Sequence, residues 1–286
     1  YWWFTVWQPD CIMDEETERP LSEADDMLLR NHAGCWLLNP YGAWHGFDGI
    51  EEGYAMLDPV KVTVLTPGIG PGGKMEEWGI PAAVVTRYLR KSGIVVEKTG
   101  YYSFLVLFTL GITKGKSGTL LAELFRFKAL YDSNSPLEEV FPDLVRKHPA
   151  RYAGRGLADL CREMHGFLRE ESITEIIRSV YATLPEQAMT PAEAYRHLVR
   201  GEVTPVPASE LEGRTVAVMV VPYPPGIPVV MPGERCGAAT RAIADYLTAS
   251  QEFDTLFPGF ESEVHGVDVV VAEDGQRVYY VYCVEE

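Results

Sequence analysis

Five turn formers in succession, Asp132-Ser133-Asn134-Ser135-Pro136, constrain the fold of this chain more than any other feature. Asp, Asn and Ser hydrogen-bond their own backbone and Pro fixes φ, so no regular element runs through them intact. The chain is 286 residues long, enough for two domains of ordinary size. The expected division is 1–134 and 135–286. Charge composition shifts there too. The first part carries 12 basic and 17 acidic side chains and the second 13 and 24, with Lys147 the only lysine of the second.

Before the division, strands and helices alternate. Residues 2–7, WWFTVW, read as a buried strand, and 8–31 as an acidic surface excursion. Residues 35–38 read as a short strand closed by Asn39-Pro40, and 44–47, WHGF, as an aromatic turn that packs. Lys61-Val62-Thr63-Val64-Leu65 is β-branched and ends at Pro67-Gly68, which predicts a strand. Pro81 opens a helix carrying Val84, Val85, Tyr88 and Leu89 on one face, with Arg87, Arg90 and Lys91 late and Gly93 as its stop. Strands at 94–96 and 103–110 and a helix at 117–131 follow.

After the division, helical periodicity occupies 157–170, 174–183 and 191–200, the last with Thr190 as cap, Pro191 first and Glu193 in the first turn. Residues 215–221 read as a strand, 223–234 as a Pro-rich loop, and 238–250 as a helix. A hairpin of 267–272 and 277–284 turns at Glu273-Asp274-Gly275-Gln276. The fold class expected is α/β in its α+β form.

Composition excludes several functions. A formal net charge of −16 repels phosphate backbones, so nucleic acid is not an expected partner. No apolar run reaches the length of a membrane span. Cys11, Cys35, Cys161, Cys236 and Cys283 are odd in number and scattered, which reads as free thiols in a reducing cytoplasm. No GxxxxGK[ST], GxSxG or HExxH motif occurs, and the six histidines show no ligand spacing, so no metal is expected. Gly68-Ile69-Gly70-Pro71-Gly72-Gly73 follows a strand but has no helix directly behind it, and reads as a loop rather than a phosphate cradle. The opening YWWFTVW is a poor free terminus, so the chain is expected to be a piece of a longer polypeptide.

Motifs spread over the whole length carry a resemblance. They are Val6-Trp7-Gln8-Pro9-Asp10, Trp44-His45-Gly46-Phe47, Leu57-Asp58-Pro59, Gly79-Ile80-Pro81-Ala82, and the run from Gly93 to Gly100, GIVVEKTG. Gly111-Ile112-Thr113-Lys114-Gly115-Lys116, Met189-Thr190-Pro191, Pro222-Tyr223-Pro224-Pro225-Gly226, Met231-Pro232-Gly233-Glu234 and Phe257-Pro258-Gly259-Phe260-Glu261 complete the set. In this order and spacing they resemble the C-terminal part of the large bacterial lysine/ornithine/arginine decarboxylases, pyridoxal-phosphate (PLP) enzymes of the aspartate-aminotransferase fold. The resemblance implies a small aminotransferase-like domain over 1–134 and the family's mixed α/β C-terminal domain over 135–286.

It also implies what this chain lacks. Family members hold PLP through a Schiff-base lysine in a Ser-x-His-Lys segment, and this sequence has only the reversed Lys147-His148. No catalytic residue is therefore assigned in this chain, and PLP is expected to be bound mainly by another domain, in the same polypeptide or a partner subunit. The substrate implied is a basic amino acid, lysine ahead of ornithine or arginine, giving cadaverine and CO₂ in the lysine case. A distal ammonium entering a partly desolvated cleft needs a carboxylate partner. The resemblance assigns that role to Glu97, with Lys98 and Thr99 beside it. It places Tyr223, Glu234 and His265 along the substrate entrance, where a structural corner is the competing reading. Expected assembly is a homodimer, with a decamer as the larger form. Two other functions stay open: a non-catalytic module that docks on a full enzyme, and a plain structural fragment.

Overall fold

The β-branched run at 61–65 lies inside a four-stranded antiparallel sheet. In the computed structural model, which describes residues 2–14, 17–47, 49–223 and 225–285, the chain divides into two units, Tyr1–Leu130 and Tyr131–Glu286. The division falls inside a helix, just ahead of the turn formers at 132–136.

Unit one begins with β1 (Thr5–Val6), then a hairpin of β2 (Cys11–Asp14) and β3 (Thr17–Pro20). Next come α1 (Asp26–Asn31), β4 (Lys61–Leu65), α2 (Ala82–Lys91), β5 (Lys98–Thr99), β6 (Ser103–Leu107) and α3 (Lys114–Asp132). The main sheet runs β1-β4-β6-β5. The stripe expected on α2 is buried: Val84, Val85 and Leu89 have no exposed surface, and Tyr88 packs on Phe127 of α3 at 5.5 Å between ring centres. Phe4, Val64, Phe104 and Leu124 complete this core. Glu123 of α3 accepts hydrogen bonds from Tyr88 Oη at 2.8 Å and Ser92 Oγ at 2.9 Å, which hold its carboxyl below the usual range.

Four expectations for this unit are corrected. Residues 2–7 do not form a buried strand. Only Thr5 and Val6 pair, both exposed, while the tryptophans before them are spent on ring packing: Trp2 against Phe125 at 4.5 Å and Trp3 beneath Lys128 Nζ at 4.3 Å. Residues 8–31 are not a bare excursion, because the β2–β3 hairpin and α1 close over a small core of Ile12, Leu21 and Cys35. The strands expected at 35–38 and 94–96 are a helical turn at Ala33–Cys35 with a single bridge at Leu37, and a passage leading into β5. Short apolar runs satisfy either reading, and tertiary hydrogen bonding decides.

Unit two opens with three short helices, α4 (Leu137–Val140), α5 (Pro142–Lys147) and α6 (Pro149–Tyr152). Then come α7 (Leu157–Glu170), α8 (Ile173–Ala182), β7 (Glu186–Gln187), α9 (Pro191–Arg200) and β8 (Val203–Pro207). After β9 (Val221–Tyr223) and β10 (Glu234–Arg235) the chain enters α10 (Arg241–Leu256). It finishes with β11 (Glu263–His265), β12 (Asp268–Val271) and β13 (Arg277–Val284). The largest sheet is antiparallel, β12-β13-β8, and the pairs β10-β7 and β11-β9 are separate. The turn formers have a structural use: Asn134, at φ +47, accepts from the amides of Ala158 and Asp159 and so satisfies the open N-terminus of α7.

The strand expected at 215–221 is corrected as well. Its amides alternate between two sides, Val216 N to Glu234 O and Ala217 N to Tyr282 O, so no continuous ladder forms and only isolated bridges remain. At the other end of the unit α10 is clamped to β13. Tyr279 Oη donates to Asp254 Oδ2 at 2.5 Å, Ser262 N donates to Asp254 Oδ1 at 2.7 Å, and Tyr279 N donates to Gln251 Oε1 at 2.8 Å. Asp254 and Tyr279 are both buried. Burial pushes the Asp254 carboxyl above its ordinary range, opposed by these bonds and by Arg277 nearby. All five cysteines are free, and Cys11 alone among them is exposed.

Candidate functional site

The segment carrying Glu97, Lys98 and Thr99 is the edge of the first sheet. Gly93, at φ +79, ends α2 in the left-handed conformation that favours glycine. The chain then runs up to β6, where Glu97 N donates to Leu105 O at 2.8 Å, Lys98 pairs Leu105 and Thr99 pairs Phe104. Gly100 N bonds Ser103 O at 2.7 Å and closes the hairpin. Lys98 and Thr99 are half-buried, whereas Glu97 is exposed and has no ion-pair partner among the described residues.

The loop after β4 is fastened to the same end of the sheet. Thr66 N bonds Tyr102 O at 2.9 Å and Thr66 Oγ1 bonds Ile80 O at 2.7 Å. Gly68 lies so close to Tyr102 that a Cβ there would stand 2.1 Å from the ring. This glycine therefore sets a contact that no other residue permits. Sequence reasoning missed Thr66, Gly68 and Tyr102. The glycine-rich loop was visible, but nothing in the sequence announced its partner, a tyrosine more than thirty residues on.

In the second unit, β9 and β11 bring two expected residues together. Tyr223 stands opposite Glu263, and its ring lies 6.5 Å from that of His265, centre to centre. His265 Nε2 is 3.1 Å from Glu263 Oε1, with both side chains exposed. Glu234 is elsewhere, on β10 paired with Gln187, and its carboxylate accepts from Met231 N at 2.7 Å, capping its own loop. Tyr181 Oη bonds Ile227 O at 3.2 Å and steadies the Pro-rich segment, in which Pro224 lies outside the described residues. Trp44 and His45 pack as expected: His45 is buried with Nε2 2.8 Å from Asn39 O, and Trp44 lies 5.3 Å from Trp7.

Residues 1–116 match the family model described as Orn/Lys/Arg decarboxylase, major domain, and residues 174–285 match that of the Orn/Lys/Arg decarboxylase C-terminal domain. The chain belongs to the Orn/Lys/Arg decarboxylase family. Within it, the chain is 50% identical to lysine decarboxylase LdcA of Pseudomonas aeruginosa, a match over 100% of this chain and 36% of that protein. A solved structure of lysine decarboxylase A from the same species superposes with a TM-score of 0.88 at 49% identity, over 99% of this chain and 36% of the other. The biodegradative arginine decarboxylase of Escherichia coli is 40% identical, over 99% of this chain and 37% of its own length. The chain thus spans a little over a third of the length of the decarboxylases it matches. The mixed α/β fold is that of the solved family members.

Enzymes of this family depend on PLP, a cofactor that requires a shielded lysine. The residues present do not fit that requirement. All eight lysines are exposed or half-buried, and Lys61 pairs with Asp58 at 3.4 Å while Lys128 sits over Trp3. The cavity of the second unit that Glu171, Glu212, Cys236 and Arg241 border has no lysine in its wall. Among the described residues no three His, Cys, Asp or Glu side chains converge on a metal position, and no helix is long and apolar enough to cross a membrane.

Proposed function

We propose that this chain supplies the substrate-side residues of a cytoplasmic, PLP-dependent decarboxylase of a basic amino acid, converting L-lysine to cadaverine and CO₂. Residues outside this chain would hold the cofactor, in line with the poor fit of its own lysines. We assign the small aminotransferase-like domain to 1–134 and the C-terminal domain to 135–286. Relatives named lysine decarboxylase run from 38 to 50% identity and the arginine decarboxylase stands at 40%, so it is the 50% match to LdcA that favours lysine.

The observation that carries the site is the exposed, unpaired carboxylate of Glu97 at the rim of a rigid hairpin. A carboxylate already neutralised by a neighbouring cation would have nothing to offer a second ammonium. Glu97 keeps its charge available, and the backbone bonds on both sides of it fix where that charge lies. Its role is to bind and orient the distal ammonium, with Lys98 and Thr99 beside it on β5. Tyr223 and His265 form a second polar patch that we assign to the substrate entrance. Glu234 belongs to the same assignment, its carboxylate fixing the loop that borders the patch.

The test uses the polypeptide that joins this chain to a cofactor domain. Glu97→Gln should raise KM for lysine strongly, with kcat and cofactor absorbance close to wild type. Unchanged lysine kinetics would remove Glu97 from the site. A substrate panel of lysine, ornithine and arginine decides the specificity. The 286-residue chain alone, mixed with PLP and treated with borohydride, should retain no stoichiometric cofactor. Retention at one lysine would overturn the division of labour.

A further inference from the structure

Glu97 is exposed and has no ion-pair partner among the described residues, so its backbone decides where its charge stands. That backbone is lightly held. β5 is two residues long and lies at the edge of its sheet, bonded along one side. Its ties to β6 are Glu97 N to Leu105 O, the pairs Lys98–Leu105 and Thr99–Phe104, and Gly100 N to Ser103 O. A two-stranded ladder this short is marginal by itself, so the place of the hairpin depends on what holds its turn.

The turn, Gly100-Tyr101-Tyr102-Ser103, is held from three sides. Ala82 N, the first amide of α2, donates to Tyr101 O at 2.8 Å, and Thr66 N donates to Tyr102 O at 2.9 Å. The third support is the Tyr102 ring, 5% exposed, which lies against Gly68. A Cβ on Gly68 would stand 2.1, 2.4 and 2.9 Å from three carbons of that ring. Gly68 also has φ +136, a conformation that favours glycine. Its own backbone is pinned from the far side, by Ile80 N to Pro67 O at 2.8 Å and Glu76 N to Gly68 O at 3.0 Å. The ring therefore rests on a fixed seat. At the other end of the segment, Gly93 N donates to Arg90 O and Ile94 N to Leu89 O, both at 3.0 Å. Glu97 thus hangs between the end of α2 and a turn seated on Gly68.

We propose that Tyr102 and Gly68 are positioning residues for the substrate's distal ammonium: the ring packed on the glycine fixes the β5–β6 hairpin, and through it the place at which Glu97 presents its carboxylate. The inference rests on the role proposed above for Glu97 and adds two residues that act through it. Loosening the contact leaves the carboxylate charged but lets it drift, so binding of the ammonium weakens while the chemistry at the other end of the substrate is untouched.

The polypeptide that joins this chain to a cofactor domain is assayed with Tyr102→Leu, Tyr102→Phe, Gly68→Ala and Glu97→Gln, and with each of the first three combined with Glu97→Gln. Tyr102→Leu and Gly68→Ala disturb the same contact from its two sides, and near-UV circular dichroism checks that each is folded. Each should raise KM for lysine about threefold to fivefold, the range open to an exposed ion pair worth up to about 1 kcal/mol. Both kcat and cofactor absorbance should stay close to wild type. Tyr102→Phe keeps the ring and should keep the wild-type KM. In the Glu97→Gln background the same changes should add less than about twofold, because the group they act through is already gone. Unchanged KM in folded Tyr102→Leu, Tyr102→Phe as impaired as Tyr102→Leu, or the full rise in KM persisting without Glu97 would each overturn the proposal. A silent Glu97→Gln would remove the reading of Glu97 and this inference with it. An effective Glu97→Gln beside a silent Tyr102→Leu would remove this inference alone.

Discussion

Replacing Tyr279 by Phe deletes one hydroxyl from the α10–β13 clamp and leaves its packing intact. Tyr279 Oη is the closest donor to Asp254, and both residues are nearly inaccessible to water. A hydrogen bond to a charged, buried acceptor contributes about 1.5–3 kcal/mol. Asp254 keeps the Ser262 amide, so a cost of about 2 kcal/mol follows. For a domain of this size each kcal/mol moves Tm by about 2–4 °C, giving a fall of roughly 4–8 °C in the second unit. The dependence on pH carries a sign. The Asp254 carboxyl titrates above its ordinary 3.8 in the folded chain. Between those two values the folded state holds a proton that the unfolded state has released, so stability falls as pH rises through that window. The hydroxyl favours the ionised form, and without it the carboxyl titrates higher still. Tyr279→Phe should therefore cost less at pH 5 than at pH 8, and Asp254→Asn should flatten the slope. Thermal unfolding followed by near-UV circular dichroism at both values reads this. A fall below about 1 °C at pH 8, or equal falls at the two pH values, would refute the account.

Gly266→Ala would place a Cβ 2.0 Å from Met219 O at a φ of +84. The left-handed backbone alone costs about 1–2 kcal/mol, and the collision with backbone adds to it. The second unit should lose well over 4 °C in Tm and the Tyr223–His265 pair should separate in NMR spectra; a silent substitution would contradict the strand register. Thr190 and Glu193 form a reciprocal capping box on α9, so Thr190→Ala should cost about 1 kcal/mol by urea titration. Thiol titration with Ellman's reagent should find one accessible group, Cys11, whose thiol is held above its ordinary range by partial desolvation and by Glu18 and Asp10, and five only in denaturant; rapid reaction of two or more in the native chain would contradict the burial.

Much of this fold can be read in the residues because local and tertiary preferences agree. Helix α7 runs 157–170 as its apolar period dictates, α9 starts at the Thr190-Pro191 cap, and β13 buries Tyr279, Val281 and Cys283 in alternation with the half-buried Val278, Tyr280 and Tyr282. Disagreement came where a segment's partners lie far away. Residues 215–221 look like a strand, yet their amides serve two different neighbours. Residues 2–7 look like a strand, yet their indoles are claimed by α3. The β2–β3 hairpin has little signature because its first strand offers only Ile12 and Met13 between Cys11 and Asp14, and its second, Thr17–Pro20, carries three polar side chains and a proline. For the site, the resemblance singled out Glu97, which stands exposed beside the edge strand β5, but the fastening of Gly68 against Tyr102 has no local signature. Tyr223 and His265 meet only because β9 and β11 pair across forty residues of intervening chain.

The last hairpin leaves Val269, Val270 and Val271 wet, at 43, 53 and 57% exposure, on a strand hydrogen-bonded along one side only. A bare apolar margin of that kind is a template on which further ribbons can grow. What holds identical molecules apart is the surplus of sixteen negative charges, whose reach shrinks to about 8 Å at 0.15 M ionic strength. Concentrated salt should therefore shorten the storage life of the purified chain, and a lysine placed at Val270 should lengthen it.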